Sequence, residues 1–293
     1  DDNAGTEAPA TEAEVAETAA PAEIAETEEP EPTAVTETEE PVPTNSTEQD
    51  ATEEEPEGTE SELVALGDEL CAAWDQVHEP GGVKRLLNMM TDDVVLVDTG
   101  LDVELVGTEA VRDYVTSDYY APFDTMECGA TVGQGDWGAG SYTLSSTTEP
   151  GSSQGISAVH WTDGKVDQQI AYYTKSEDQA PAPDPDPVEG HSGVAYCEAW
   201  DGGGDVEEIL SLMADDVEFH GAADATGKEE MAAFIEDFGL DEVECQDVVV
   251  VNGNWTAGAN VFTDTETGSE VGGVNVILLD DDGLIVEHHA HYG

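Results

Sequence analysis

The chain reads Cys71-Ala-Ala-Trp74-Asp75 and, further on, Cys197-Glu-Ala-Trp200-Asp201. Each stretch is followed by the same series of short motifs in the same order. The first series is Thr91-Asp92-Asp93-Val94, Gly107-Thr108-Glu109, Glu127-Cys128 and Asp163-Gly164, and the second is Ala214-Asp215-Asp216-Val217, Gly227-Lys228-Glu229, Glu244-Cys245 and Asp282-Gly283. A repeat of this length exceeds a solenoid unit and leaves each copy large enough for its own core. The pattern therefore predicts two copies of one domain in tandem.

Composition divides the chain into four predicted segments. Residues 1–60 are rich in Thr, Glu, Pro and Ala and contain no Lys, Arg or aromatic residue. Such a segment cannot bury enough apolar surface to offset the entropy of ordering, so it is predicted to be a disordered acidic tail. Residues 61–175 and 191–293 are the two predicted domains, called repeat 1 and repeat 2. Between them, residues 176–190 contain alternating prolines, which predict a semi-rigid extended linker.

The formal net charge is −63, from 69 acidic residues against 6 Lys and Arg. A field of this sign repels phosphate, so nucleic acid and anionic membrane surfaces are not expected as partners. Because no apolar run approaches the roughly 20 residues that span a bilayer, the chain itself is not expected to insert into a membrane. Such acidity is typical of solvation in a salty medium, and binding of cations or cationic ligands is the other interpretation.

Four cysteines permit three disulfide connectivities, and the symmetry of the repeats selects Cys71–Cys128 with Cys197–Cys245. Disulfides indicate an oxidising compartment, and four reduced core thiols are the alternative. The chain opens at Asp1-Asp2 without Met, as a processed protein does. An acidic Thr/Pro spacer behind such a start resembles the stalk of an exported bacterial lipoprotein. We therefore expect an extracytoplasmic protein, either secreted or held at the cell surface as a lipoprotein.

Hydrophobic periodicity predicts helices first and a β meander afterwards in each repeat. In repeat 1 the predicted helices are 62–74, 83–90 and 108–120, and the predicted strands are 94–97, 137–144, 155–161 and 166–173, with short β runs beginning at about 130. In repeat 2 the predicted helices are 192–200, 206–213 and 228–238, and the predicted strands are 217–220, 246–252, 254–263, 270–279 and 284–292. This order is typical of the α+β class.

The same motifs resemble the SnoaL-like branch of the nuclear transport factor 2-like superfamily. The matching stretches are Tyr196–Asp205, Leu212–His220, Gly227–Phe234 and Asp282–His288 in repeat 2, and Thr91–Asp98, Gly107–Tyr114 and Asp163–Val166 in repeat 1. The resemblance implies two tandem cone-shaped domains, each with a curved, mostly antiparallel sheet wrapped around helices. It also implies a pocket that members use for isomerase, cyclase, hydrolase or simple binding roles, so the fold does not decide the function.

The acid–base residues of the family are incomplete in both repeats. Ketosteroid isomerases of this superfamily use a carboxylate base after the Asp-Asp-Val strand and a Tyr of the first helix to stabilise an enolate. Asp98 matches the base, but repeat 2 has Gly221 there. Tyr196 matches the enolate donor, but repeat 1 has Leu70 there. A base without its oxyanion donor lacks the larger electrostatic contribution to catalysis.

The acid/base Asp that SnoaL cyclases carry in the last strand is also missing. The matching positions are Ala171 in repeat 1 and Ala290 in repeat 2. Loss in both copies argues against cyclase chemistry.

Histidines are the remaining candidates for chemistry. His220 aligns with a histidine that is common in SnoaL-like sequences, and we expect it either to line the pocket or to be a satisfied core histidine. In the last predicted strand Glu287, His289 and His291 alternate onto one face. His289 and His291 are therefore a candidate metal pair, since imidazole suits zinc or manganese. The alternative is a solvated or packed strand end, and neither a metal nor another cofactor is expected.

Three functional hypotheses follow. The favoured one is a non-catalytic exported protein that binds a small, partly apolar molecule, because pocket aromatics are retained while acid–base residues are missing. The expected pocket residues are Trp74, Tyr173, Tyr196, Trp200, His220 and His288. The second hypothesis is an isomerase, cyclase or hydrolase that uses Asp98 or His220. The third is a structural or interaction role with filled pockets, in which the repeats pack sheet to sheet as an internal pseudo-dimer or the chain forms a homodimer.

Overall fold

The computed structural model describes residues 59–293, except 149, 202–204, 239–241 and 265–266. The predicted acidic tail lies outside the described residues, apart from its last two positions, which begin the first helix. In the part of the chain that is described, no helix is long and apolar enough to cross a bilayer.

Repeat 1, as far as it is described, places three helices against a six-stranded sheet. Its helices are α1 (Thr59–Asp75), α2 (Gly82–Asn88) and α3 (Gly107–Val115). Its strands are β1 (Met90–Asp98), β2 (Val103–Val106), β3 (Thr125–Gln134), β4 (Trp137–Ser145), β5 (Ser152–Thr162) and β6 (Lys165–Ser176). The sheet order is β2-β1-β6-β5-β4-β3, in which β1 and β6 are parallel and all other neighbours are antiparallel.

Repeat 2 follows the same path, after a short strand β7 (Val188–Glu189) that comes from the predicted linker. Its helices are α4 (Ser192–Trp200), α5 (Val206–Ser211) and α6 (Gly227–Asp237). Its strands are β8 (Met213–His220), β9 (Ala225–Thr226), β10 (Glu242–Asn252), β11 (Trp255–Asp264), β12 (Ser269–Leu279) and β13 (Ile285–Tyr292). The sheet order is β7-β10-β11-β12-β13-β8-β9, with β8 and β13 parallel. The predicted α+β class is confirmed.

In each repeat the helices cover one face of the sheet, and we call the space between them the cone of that repeat. In α1, Leu63, Leu70 and Trp74 are buried at helical spacing, which gives this helix one apolar face towards the sheet. In repeat 2 the corresponding core includes Tyr196 of α4 with Met231 and Ile235 of α6. The helical periodicity of the sequence therefore positions the side chains that enter each cone.

Helix α3 ends at Val115, whereas the sequence predicts a helix that continues to Tyr120. Two hydroxyl side chains bond back to the last turn: Thr116 Oγ1 donates to the Arg112 carbonyl at 2.8 Å and Ser117 Oγ to the Tyr114 carbonyl at 2.6 Å. Side chains of this kind compete with the helical hydrogen bonds of the backbone. The chain therefore leaves the helix early, and residues 116–124 are free to line the cone.

The two disulfides join Cys71 to Cys128 and Cys197 to Cys245, as the repeat symmetry predicts. The first connects α1 to β3 and the second connects α4 to β10. Each bridge therefore ties the first helix of a repeat to the strand that follows its last helix: β3 at the edge of the first sheet, and β10 next to the edge strand β7 in the second.

The faces of the two sheets that point away from the helices pack against each other. Small residues such as Ala139, Ala158 and Ala257 alternate with larger ones there, which lets the strands approach closely. The buried residues of this cluster are Ala130, Val132, Trp137, Ala139, Ile156, Ala158, Ile170 and Tyr172 from repeat 1, with Val250, Trp255, Ala257, Ala259, Val274 and Val276 from repeat 2. Trp137 and Trp255 therefore belong to the contact between the repeats and not to a cone.

Polar side chains and the linker add to this contact. The buried Asn252 amide donates to the Tyr142 carbonyl, and its oxygen accepts from Gln154 Nε2 at 3.1 Å. The linker does not stand away from the domains, because the Ala130 amide donates to the Asp184 carbonyl at 3.0 Å. The predicted linker thus lies along the sheet edge of repeat 1 before it joins the sheet of repeat 2 as β7.

Gly272 of β12 meets the backbone of Gly135, in the β3–β4 turn, where the repeats touch. A Cβ at Gly272 would lie 2.7 Å from the Gly135 nitrogen, which cannot move aside as a flexible side chain could. We expect Gly272→Ala to lower the free energy of unfolding by about 1–3 kcal/mol in urea titrations, as overpacking does. Gly138→Ala is the matched control, because its Cβ would meet nothing closer than 3.5 Å. Equal stability of the two variants would contradict the prediction.

Candidate functional site

A cavity lies in the cone of repeat 1, and seven of its fifteen lining residues are aromatic. The residues that line it are Trp74, Leu96, Asp98, Tyr114, Tyr119, Tyr120, Phe123, Met126, Tyr142, Leu144, Ser153, Ser157, Gln169, Ala171 and Tyr173. It gives the centre of a water molecule about 60 Å³ of free volume. Because one water needs on the order of 10–15 Å³ by this measure, the cavity has room for a group of several non-hydrogen atoms.

Asp98, at the end of β1, is the carboxylate of this cavity, and its side chain is held by two tyrosines. Tyr114 of α3 donates to Oδ2 at 2.6 Å, and Tyr173 of β6 donates to Oδ1 at 2.6 Å. The backbone amide of Leu101 also donates to Oδ1, at 3.1 Å. Asp98 itself is only 4% exposed. The carboxylate is therefore buried, and both of its oxygens accept hydrogen bonds.

Four tyrosines of the cavity, Tyr114, Tyr120, Tyr142 and Tyr173, are neutral donors. Burial, followed by the hydrogen bond to Asp98, raises the pKa of Tyr114 and of Tyr173 far above the ordinary phenol value. Burial also raises the pKa of Tyr120 and of Tyr142, with a smaller contribution from the negative charge of Asp98. Each phenol keeps its proton at any pH at which the protein is studied, and can offer it to Asp98 or to a ligand.

The aromatic rings form walls at different angles instead of one stack. Tyr114 and Tyr120 have ring centroids 5.5 Å apart and planes inclined at 53°, and Trp74 lies 5.9 Å from Tyr120. At the outer side, Tyr119 lies 6.1 Å from Phe123 and is 39% exposed, so these rings form the mouth. Because α3 ends at Val115, the residues that follow it can line the cavity, with Tyr120 in the interior and Tyr119 and Phe123 at the mouth.

The inner end of the cavity is polar but uncharged. Trp74 Nε1 donates to Gln169 Oε1 at 3.1 Å, and Gln169 Nε2 donates to Ser157 Oγ at 3.4 Å. A second cavity of about 40 Å³ lies behind this group and shares Trp74, Gln169 and Tyr142 with the first. Gln169 therefore stands between the two cavities of the same cone.

In repeat 2 the described side chains fill most of the corresponding cone. Phe219 packs against Phe234 with ring centroids 4.6 Å apart, and Phe234 lies 4.9 Å from Phe238. Phe262 continues the group and lies 4.5 Å from Tyr292. The cavity that remains is about 20 Å³, with Tyr196, Trp200 and His288 in its wall.

Different residues at equivalent positions of the two repeats explain why the cone of repeat 2 is fuller than that of repeat 1. Phe234 stands at the helix position of Tyr114, and Phe219 stands at the strand position of Leu96. Gly221 stands where repeat 1 has Asp98, and a Cβ there would lie 2.8 Å from the Phe219 ring. The phenylalanine ring thus takes the space in which a carboxylate would begin.

A buried hydrogen-bond network replaces the carboxylate in repeat 2. The hydroxyl of Tyr196 lies 3.0 Å from His288 Nδ1, and His288 Nε2 lies 2.9 Å from Asn275 Oδ1. Because Asn275 Nδ2 donates to Asn260 Oδ1, the Asn275 oxygen must accept, and His288 carries its proton on Nε2. Burial, followed by the nearby histidines, lowers the pKa of His288 to about 3. His288 is therefore a neutral structural histidine at ordinary pH.

The structure corrects the expectation that His220 lines a pocket. Val217 and Phe219 face the core of repeat 2, and strand alternation turns His220 to the opposite side. There its ring stacks on His289 at 4.9 Å, and Nδ1 lies 3.2 Å from Asp224 Oδ1. His220 is exposed and lines none of the cavities found among the described residues.

The candidate metal pair lies on the outer face of β13, where repeat 2 meets repeat 1. His291 Nε2 bonds the hydroxyl of Tyr172 at 3.0 Å, and its ring stacks on Trp137 at 4.7 Å. His289 Nε2 faces Glu287 Oε2 at 3.4 Å. Burial lowers the pKa of His291 to about 4. Within the described residues, no group of three or more His, Cys, Asp or Glu side chains is arranged to hold a metal ion.

A wide groove separates the edges of the repeats near these histidines. Tyr172 and Lys175 of repeat 1 line it together with Trp255, Glu287 and His289 of repeat 2, and its free volume is about 430 Å³. The groove is open to solvent, and its wall combines aromatic side chains with the charged Lys175 and Glu287. It does not enclose a small molecule in the way that the aromatic cavity of repeat 1 does.

Of the expected pocket residues, Trp74 and Tyr173 line the cavity of repeat 1, and Tyr196, Trp200 and His288 line the small cavity of repeat 2. The sequence did not single out Tyr114, Tyr142 or Gln169. A signal existed for Tyr114, which follows the buried Val111 by three residues and so lies on the same helix face. A signal also existed for Gln169, because it occupies the position in the last strand of repeat 1 that His288, an expected pocket residue, occupies in repeat 2.

Comparisons with known proteins give one family match and a set of similar solved structures. A sequence model of the SnoaL-like domain matches residues 194–288. No curated protein matches the chain. Among solved structures, the chain is similar to a candidate ketosteroid isomerase from Kribbella flavida, at 13% identity over 42% of this chain and 85% of that chain (TM-score 0.35). It is also similar to an NTF2-like protein of unknown function from Burkholderia xenovorans, at 14% identity over 44% and 89% (TM-score 0.32).

Proposed function

Since the chain contains a SnoaL-like domain of the nuclear transport factor 2-like superfamily, we propose that repeat 1 is a small-molecule binding domain and that repeat 2 supports it. The observation that carries this proposal is the difference between the cones. Repeat 1 keeps a cavity with a buried carboxylate, whereas phenylalanine side chains occupy most of the cone of repeat 2. A cavity lined mainly by aromatic and apolar side chains, with a few convergent polar groups, has the general character of a ligand site.

Binding without catalysis fits the surroundings of Asp98 better than proton transfer does. A general base must reach the proton that it removes, and both Asp98 oxygens already accept hydrogen bonds from Tyr114 and Tyr173. The same two phenols would have to release Asp98 in order to stabilise an enolate. His220, the other catalytic candidate, lies outside the cone.

Proton transfer by Asp98 remains the second candidate function, because this carboxylate is buried in the wall of the cavity. Its test is an isomerase assay on a panel of small ketones. Loss of a measured activity in Asp98→Asn, with binding of the ketone retained, would favour the enzyme over the binding protein.

Repeat 2 serves in this proposal as a packing partner within one chain. Its outer sheet face covers that of repeat 1, so the two repeats act together as an internal pseudo-dimer.

The two disulfides accord with an oxidising, extracytoplasmic compartment, where we propose that the protein works after export. Secretion and anchoring as a lipoprotein would be distinguished by fractionating cells that express the protein from its own gene.

Equivalent tryptophans in the two repeats provide a matched test of the proposal. We expect Trp74→Leu to weaken binding of any ligand about tenfold or more, because Trp74 forms a wall of the repeat 1 cavity. Trp200→Leu makes the same change in repeat 2 and should leave affinity unaltered. Ligands would be found by native mass spectrometry and by thermal shift across a panel of amines, lipids, steroids and aromatic compounds. Equal loss in both variants, or no ligand in the whole panel, would refute the assignment to repeat 1.

A further inference from the structure

We propose that the ligand of repeat 1 is a compact organic cation, such as an alkylated ammonium group, held by Asp98 and by the surrounding aromatic rings. The inference rests on the proposed function of repeat 1 and adds the chemical class of its ligand. It depends on the charge of the cavity, the chemistry of its wall and its size.

The charge of the cavity is the first argument. Of the described residues that line it, Asp98 is the only one with a charged side chain. A buried charge is costly to desolvate unless it is paired, and the two phenol hydrogen bonds supply no counter-charge. A cation in the cavity would supply one. An anionic ligand would meet Asp98 directly, and a neutral apolar ligand would leave the carboxylate without an opposite charge.

The wall of the cavity is the second argument. The π faces of Trp and Tyr attract cations within about 6 Å of the ring centroid, and the attraction is stronger where water is excluded. Two rings at the mouth already show this behaviour, because Lys175 Nζ lies 5.9 Å from the Tyr119 centroid and 5.5 Å from that of Tyr173. The inclined rings of Trp74, Tyr114 and Tyr120 surround the interior on several sides. Rings on several sides suit a rounded cation that has no hydrogen-bond donors to satisfy.

Size and long-range charge complete the argument. The free volume of about 60 Å³ holds about four or more water-sized groups, which is the size of a trimethylammonium head. Ser153, Ser157 and Gln169 could receive a neutral hydroxyl attached to that head. The net charge of −63 also raises the concentration of cations at the surface and repels anions.

The test compares two molecules of the same shape that differ in charge. Choline and its neutral carbon isostere, 3,3-dimethylbutan-1-ol, would be titrated into the full chain by isothermal calorimetry. The buffer would contain about 0.15 M NaCl, so that surface attraction is screened beyond about 8 Å. We expect choline to bind at least about tenfold more tightly than the isostere.

Two variants assign the charge effect to the cavity. Asp98→Asn should remove the preference for choline, whereas Asp93→Asn makes the same change at an exposed position of the same strand and should keep it. Circular dichroism would check that each variant is folded. The comparison of choline with its isostere uses the unmodified protein, so it decides the matter even where Asp98→Asn does not fold.

The outcomes separate this inference from the proposed function. Equal or tighter binding of the isostere, or binding of only neutral members of the panel, would overturn the cation while leaving a binding cavity in repeat 1. A similar loss in Asp93→Asn and Asp98→Asn would reduce the effect to surface attraction and would also overturn it. If no compound of either charge binds, the proposed function falls together with the inference.

Discussion

Removal of the Cys71–Cys128 disulfide is expected to lower the free energy of unfolding by about 4 kcal/mol. The bridge joins residues 57 apart in sequence, and its loss would release a long loop in the unfolded chain. The variant Cys71→Ala/Cys128→Ala would be compared with the oxidised protein in urea titrations. We also expect weaker ligand binding, because α1 carries Trp74 three residues after Cys71 and the bridge fixes this helix to the sheet.

The second disulfide is the matched control for the first. Cys197 and Cys245 lie 48 residues apart, so the chain-entropy model predicts a similar loss of about 4 kcal/mol for Cys197→Ala/Cys245→Ala. Ligand affinity should change less in this variant, because the cavity lies in repeat 1. A loss below about 1 kcal/mol for either pair would show that loop closure does not govern the stability of this fold.

Acid is expected to destabilise the protein steeply through two buried histidines. Burial holds the pKa of His288 at about 3 and that of His291 at about 4, whereas the ordinary histidine pKa, which both recover on unfolding, is 6.5. Above pH 6.5 the two histidines are neutral in both the folded and the unfolded protein, so their protonation does not reduce its stability. Below it the unfolded chain binds protons that the native state does not, and stability falls by about 1.4 kcal/mol per pH unit for each histidine. The fall continues to about pH 4 for His291 and about pH 3 for His288.

His288→Gln isolates this effect, because it places in repeat 2 the residue that repeat 1 has as Gln169. We expect the plot of unfolding free energy against pH to be less steep in this variant by about 1.4 kcal/mol per unit between about pH 6 and 4. The comparison uses the slope of this plot, because the unfolding free energy at neutral pH will also change when the hydrogen bonds of His288 are lost. Identical slopes in this variant and in the unchanged protein would contradict a neutral His288.

The fold was largely predictable from local patterns. The buried face of a helix or strand can be recognised from its own residues alone. Examples are the helical spacing of Leu63, Leu70 and Trp74 and the alternation of apolar residues in the strands. The prediction failed at the end of α3, since apolar Tyr119 and Tyr120 extend the helical pattern while Thr116 and Ser117 end the helix through their own hydroxyls. Competition between side-chain and backbone hydrogen bonds is not visible in hydrophobic periodicity.

The site was predictable only in part. Asp98 could be named from its place after the Asp-Asp-Val strand, but its two donors are 16 and 75 residues away in sequence. His220 was expected in the pocket from the family resemblance, but alternation along the strand from the buried Val217 and Phe219 turns its side chain outward. The contact between the sheets also placed Trp137 and Trp255 outside the cones, a result that depends on which face of each strand meets the other repeat.

The sequence by itself determined the duplication, the α+β class and the pairing of the cysteines, because each of these follows from periodicity or from the symmetry of two copies. Only the tertiary structure decided that repeat 1 keeps the larger cavity and that the described side chains fill most of the cone of repeat 2. Phe219, Phe234, Phe238 and Phe262 converge in one cone and fill most of it, whereas in the other cone the aromatic rings leave a cavity beside Asp98. Empty volume is what remains after all side chains are packed, so no single stretch of sequence encodes it.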